Sequence, residues 1–217
     1  MEGLEGVFHG VRLYGSIEGL CQGPDKGRIL LVERWPRRPY PADFLESFLL
    51  HLLSSLFVEG YEGCLLTGRG GQREGEKDPS RIPVGFWRWD LLPKEVAARH
   101  FLSYLRAFRK GALSPLPFDP EASLTYAREY EKSRQSGVLS ASLSSGSPAD
   151  RARAMIRAAR LPPFSARNSF FDPRRRSTFW SALAFAGRDL AGEPAFALWS
   201  LRLFRPLLSG LTEEGAS

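Results

Sequence analysis

Residues 28–57, RILLVERWPRRPYPADFLESFLLHLLSSLF, constrain the fold more than any other stretch of the chain. They open on a compact apolar run, ILLV, whose length and branched composition suit a buried strand. Pro36, Pro39 and Pro41 then interrupt it, because each removes a backbone donor that a continuing strand would need. Beyond them Phe44, Phe48, Leu52 and Leu56 recur every four residues, and Leu45, Leu49 and Leu53 widen that face. This spacing predicts a helix over 43–57 that is buried on most sides, with Asp43 as its N-cap. A strand followed so closely by a buried helix calls for a sheet on which the helix can lie.

The neighbouring segments supply that sheet. Residues 7–20 read as a strand joined to a second one, 28–37, by the turn chemistry of CQGPDKG. Residues 62–67 and 83–90 add two more strand candidates. Between these lies RGGQREGEKDPSR, a glycine-rich charged stretch that reads as a mobile loop or a long hairpin tip. No Gly-Lys-Ser/Thr closes it, so it is not a phosphate-cradling loop. From residue 93 the period becomes helical. PKEVAARHFLSYLRAFRKG opens on Pro93 and stops at Gly111, and a further helix starts near Asp119 with Pro120 in its first position. QSGVLSASLSSGS reads as a serine-rich connection, PADRARAMIRAARL as a basic amphipathic helix, and RRRSTFWSALAFAG and EPAFALWSLRLFRPLL as two aromatic-rich helices. The expected architecture is α/β of the α+β kind. It has a β-rich part over 1–92 with a mixed sheet, and a helical part over 93–217 folded onto the same core.

With 217 residues, 43% of them hydrophobic, the chain can bury a substantial core. No apolar run reaches the roughly 20 residues that span a bilayer, and MEGLEGVFHG lacks the pattern of a signal peptide, so no membrane partner is expected. Cys21 and Cys64 are the only cysteines, which suggests a reducing compartment, and a cytoplasmic location is expected. The net charge is +6, and residues 150–217 carry most of it, with eleven arginines against six acids and no lysine. That bias favours a polyanion or an acidic protein partner. A solvated helical surface would have the same composition.

Few residues offer chemistry. His9, His51 and His100 fit no metal-binding spacing, and His51 falls inside the apolar helix, where a satisfied core histidine is the simpler reading. The serines of 140–147 lack a nucleophile elbow. Glu18 and Glu33, near the ends of two adjoining strands, remain. Carboxylates placed so can converge on Mg²⁺, which binds phosphate oxygens and prepares a water for attack. Such a site wants a lysine two residues after the second acid, on the same strand face, to stabilise developing negative charge. That position is Trp35, and Arg34 points the other way. The pair thus reads as a degenerate remnant, with no catalytic residue, no bound metal and no cofactor expected. An active nuclease in which Lys26 replaces the missing lysine is the alternative. Aromatic and basic residues also cluster, at Arg34, Trp35, Arg37, Arg38 and Tyr40 and again at Arg174, Arg175 and Arg176. Arginines grip phosphates and exposed rings stack on unpaired bases, so these eight are the candidate DNA-binding residues. Trp87 and Trp89, in FWRWD, read more simply as core anchors. FWRWDLL and FALWSLRLF are the expected sources of exposed apolar surface.

The order of these features is similar to a known family. RLYGSIEGL, GRILLVERWPRR and DFLESFLLHLL in succession, then HFLSYLRAFRKGALSPLPFDPEASLTYA, resemble the C-terminal domain of RecC, the gamma subunit of exodeoxyribonuclease V. The likeness is most specific over 111–126, and LWSLRLFRPLLSG is similar to the family's closing helix. SARNSFFDPRRRSTFW departs from it, being more basic than the acidic, glycine-containing stretch the family carries there. The resemblance implies a degenerate PD-(D/E)xK, restriction-endonuclease-like core without a working site. It also implies membership in a helicase–nuclease complex with RecB-like and RecD-like subunits that processes DNA ends for recombinational repair, and contact with forked or single-stranded DNA without sequence preference. A pure protein-interaction domain remains open beside these readings.

Overall fold

The computed structural model describes residues 2–22, 29–34, 39–69, 84–135 and 194–214. The chain divides into two compact units, one formed by Met1–Leu102 with Ser209–Ser217, the other by Ser103–Leu208. The described elements are α-helices and the strands of two sheets, a two-stranded antiparallel hairpin and a five-stranded mixed sheet.

The first unit begins with a hairpin. Strand β1, Glu2–Phe8, pairs antiparallel with β2, Val11–Ile17, across the turn residues His9 and Gly10. Both turn residues have positive φ, 46° and 76°, the backbone that a two-residue hairpin of this twist demands. The single strand expected over 7–20 is therefore divided. Residues 7 and 8 belong to β1, the chain turns, and β2 runs only to Ile17. A Gly19 with φ 79° then redirects the backbone into a second sheet.

That second sheet has the order β3-β4-β5-β6-β7. It comprises β3 (Leu20–Gln22), β4 (Ile29–Arg34), β5 (Tyr61–Arg69), β6 (Val84–Asp90) and β7 (Leu211–Glu214). Only β4 and β5 run parallel, and the helix α1, Pro41–Phe57, makes the crossover between them. Three of its strands fall where the apolar runs predict. β7 is an addition: LTEE has no strand signature of its own, and it forms because β6 offers a free edge, with Leu211 opposite Trp89 and Glu213 opposite Trp87.

The core of this unit follows from period. β6 alternates, so Trp87 and Trp89 point inward while Arg88 and Asp90 face out and pair with each other at 2.9 Å. α1 lies on β4 and β5 and presents the predicted face, with Phe44, Phe48 and Leu52 buried. Phe44 meets Trp87 edge-on at 5.5 Å, and Phe48 leans on Trp89 at 5.8 Å. The two tryptophans are thus the core anchors of the simpler reading, and in FWRWDLL only Leu91 is a large exposed apolar side chain. Asp43 does not cap α1 from the expected position. Tyr40 is the N-cap, and Asp43, two residues inside the helix's first turn, accepts the Tyr40 amide at 2.6 Å. Gly6 lies so close to Phe57 that a methyl there would stand 3.0 Å from the ring, and Phe8 packs against Phe101 at 5.3 Å.

Helix α2, Lys94–Leu113, starts in the first unit and ends in the second, passing through the expected stop at Gly111. α3, Pro120–Gln135, begins as predicted: buried Asp119 accepts the amides of Glu121 and Ala122 at 3.1 and 3.0 Å. The last helix, α4 (Pro194–Ser209), packs with α2 and α3 in the second unit. Ser200 hydrogen-bonds Ser123 at 3.0 Å, Phe204 stacks on Phe118 at 5.8 Å, and Phe196 meets Tyr126 at 5.9 Å. Pro206 withholds one backbone donor inside α4, and in the same turn the Tyr104 hydroxyl donates to the Leu203 carbonyl. Among the described residues no helix is long and apolar enough to cross a membrane.

Candidate functional site

The two acids singled out by the sequence lie beside the β3–β4 pairing. β3 pairs antiparallel with β4, Leu20 opposite Leu31, and the Val32 amide donates to the Gly19 carbonyl at 2.8 Å. The paired residues end at Leu20, and Glu18 lies beyond the left-handed Gly19, yet its charge is felt at Glu33. Glu18 itself lies just past the end of β2, exposed, whereas Glu33 sits within β4 and is half-buried. On its other side β4 pairs with β5, Glu33 opposite Leu66, and Thr67 reaches the Glu33 carbonyl at 3.4 Å.

A third carboxylate joins them. The Glu33 carboxyl is held above its usual range by burial first, then by the negative charge of Glu46, then by that of Glu18. Glu46 lies on the first half of α1, the helix that packs on β4 and β5. Sequence reasoning missed Glu46 because nothing in its neighbours distinguishes it from a solvated helix residue. Among the described residues no group of three or more histidines, cysteines, aspartates or glutamates is arranged to hold a metal ion. Glu46 and Glu18 thus each repel the Glu33 carboxylate without the three forming a ligand set among the described residues.

The DNA-contact candidates are only partly described. Arg34 ends β4 with its side chain exposed, opposite Thr67 of β5. Tyr40 is half-buried at the start of α1, where its backbone serves the helix terminus. Trp35, Arg37, Arg38, Lys26, Arg174, Arg175 and Arg176 lie outside the described residues.

A buried polar group stands apart from these. His51 on α1 is fully buried, its Nδ1 2.7 Å from the Tyr61 hydroxyl and its ring stacked on Trp89 at 6.2 Å. Burial lowers its pKa to about 4, against a small opposing pull from Asp90. Its Nε2 has no hydrogen-bond partner among the described residues. An imidazolium has two N–H donors to place and finds one acceptor here, so the ring stays neutral. It is a core histidine, as its place in an apolar helix leads one to expect, but only its Nδ1 is satisfied among the described residues. The Tyr61 hydroxyl and the Cys64 thiol beside it are likewise pushed up by burial.

Residues 4–131, more than half of the chain, match the model of the RecC C-terminal domain family. The chain belongs to the RecC C-terminal domain family. The match covers β1 through most of α3, and with them Glu18, Glu33, Glu46 and the 34–40 cluster. It stops short of α4, so the likeness read in LWSLRLFRPLLSG lies outside it. No curated protein matches the chain.

Proposed function

We propose that this RecC-type domain is a non-catalytic nuclease-fold module of a RecBCD-type exodeoxyribonuclease V. It handles and splits DNA at a fork and contacts RecB-like and RecD-like subunits during recombinational double-strand-break repair in the cytoplasm. Its fold is read as a degenerate PD-(D/E)xK core, supported by the β4–α1–β5 parallel crossover with an antiparallel strand on either side. The reading is supported by the charge of Glu18 acting on the Glu33 carboxyl, with a tryptophan in the sequence where the catalytic lysine would stand. Two acids and a metal without that cation lack part of the transition-state stabilisation, and losing one such group commonly costs ~10²–10³ in rate. Contact with DNA is assigned to Arg34, Trp35, Arg37, Arg38, Tyr40 and the arginines at 174–176, which would hold phosphates and one unpaired base without reading sequence.

A second reading, an active metal-dependent nuclease with Lys26 as the migrated cation, draws support from Glu46, which brings a third carboxylate up to Glu33. Plasmid degradation by the purified chain with Mg²⁺ or Mn²⁺ separates the two. No degradation is expected. Cleavage abolished by Glu18→Ala and by Glu33→Ala would establish the second reading. DNA handling is tested by anisotropy with a labelled fork at low salt. Binding should weaken as salt rises and prefer the fork over a blunt duplex, and Arg37→Glu with Arg38→Glu should flatten the salt dependence. If fork binding is unchanged by those reversals, the DNA contacts lie elsewhere and a pure protein-interaction domain becomes the better account.

A further inference from the structure

The second unit has an exposed surface that the proposed DNA contacts do not use. On α2, Arg106, Arg109, Lys110 and Leu113 all face solvent, and their spacings of three and four place them on one side of the helix. Leu113 is 89% exposed. α4 adds Leu198, 57% exposed, and, one turn later, exposed Arg202. The two helices meet at Trp199, where the Lys110 Nζ and the Arg202 guanidinium each lie 5.4 Å from the ring centre. Trp199 is itself buried, so it acts as a post that holds one cation from each helix at the surface.

Farther along α4, Arg205 pairs with Glu131 at 2.7 Å, and Arg134 pairs with the same carboxylate at 2.9 Å. Arg106, Arg109, Lys110 and Arg202 have no acidic partner among the described residues. Four cations without an acidic partner among the described residues, interleaved with two exposed leucines, narrow the choice of occupant. A phosphate backbone would satisfy the cations but has nothing to lay against Leu113 and Leu198, and Trp199 is too deeply buried to stack a base. A wholly apolar partner would strip water from the cations without pairing them. The complementary surface carries carboxylates and apolar side chains together, at the spacing of one helix face.

We propose that this α2–α4 face docks an acidic amphipathic helix of a partner protein. The proposal rests on reading the chain as an assembly module, and it names the chemistry of the partner. Carboxylates of the incoming helix would pair with Arg106, Arg109, Lys110 and Arg202, while its leucine-like side chains would cover Leu113 and Leu198.

The test uses the full chain and a labelled peptide of glutamates and leucines, with leucines at i, i+3, i+4 and i+7, read by anisotropy. The wild-type chain should bind it in preference to a scrambled peptide, and salt should weaken the complex. Arg106→Glu with Arg109→Glu, and separately Leu113→Ser with Leu198→Ser, should each weaken it by about tenfold or more. All four side chains are exposed, so the helical circular dichroism should not change. Phe108→Ser serves as the control, since exposed Phe108 lies on the flank of α2 away from this ridge. Peptide binding that ignores both double variants overturns the proposal. So does a charge reversal that abolishes binding to oligo-dT or to phosphatidylserine vesicles while leaving the peptide bound. Co-elution with RecB-like and RecD-like subunits tests the underlying reading separately. If the wild-type chain fails to co-elute while the peptide data hold, the surface stands and the assembly reading falls. If co-elution survives both double variants, the surface is not the dock.

Discussion

His51 makes the stability of the first unit depend on pH below neutrality. In the unfolded chain its imidazole titrates near 6.5, and in the fold near 4. A depressed histidine pKa means that folding favours the neutral ring. The contribution is therefore complete above about pH 6.5 and is lost as the pH falls toward 4. At about 1.4 kcal/mol per pH unit, the whole window is worth about 3 kcal/mol, a large share of a domain's net stability. Urea unfolding of the chain from pH 7 to pH 4, followed by tryptophan fluorescence, should lose stability on that scale. The wild-type loss should be compared with that of His51→Phe, which has no group to titrate there. The variant should be less stable at pH 7 by roughly 1–3 kcal/mol, because the Tyr61 hydroxyl loses its partner, but should lose less on acidification. His51→Phe combined with Tyr61→Phe should recover part of the deficit at neutral pH. An imidazole resonance of His51 titrating near 6.5, or an acid slope identical in His51→Phe, would refute the reasoning.

Three further outcomes are expected. Gly19→Ala should destabilise by of order 1–3 kcal/mol in thermal unfolding, because the backbone there has φ 79° and the added carbon would stand 2.8 Å from the Val32 carbonyl oxygen. Glu33→Gln should raise the melting temperature at pH 7 more than at pH 4. The Glu33 carboxyl titrates above its ordinary range, so its ionised form opposes folding at neutral pH and its protonated form does not. Asp119→Ala should cost about 0.5–2 kcal/mol by removing the cap of α3, with Asp119→Asn retaining most of it in the same melt.

The legible parts of the fold were those fixed by local chemistry. The ILLV run of β4, the fourfold spacing of Phe44, Phe48 and Leu52, and the Asp119-Pro120 start of α3 each have their cause within a few residues. The missed parts depend on contacts made at a distance. His9-Gly10 in a left-handed turn is a weak signal, since histidine takes that conformation more often than most non-glycine residues but far less often than glycine. β7 is a strand only because β6 lies beside it, more than a hundred residues away in sequence. In the candidate site the two strand acids were visible from their position near strand ends. Glu46 was not, because its proximity to Glu33 is set by how α1 returns over β4, which no spacing in the sequence records.

The place of β7 bears on how the molecule is made. The sheet's last strand is supplied by Leu211–Glu214, after the polypeptide has left the first unit at Leu102 and come back at Ser209. Until those four residues emerge from the ribosome, the backbone donors and acceptors on the outer side of β6 have no mate. A nascent chain stalled or clipped before Leu211 would therefore display an open strand edge flanked by Trp87 and Trp89, the kind of edge that recruits a strand from another molecule. The arrival of β7 thus closes an edge at which the half-made protein is prone to aggregate.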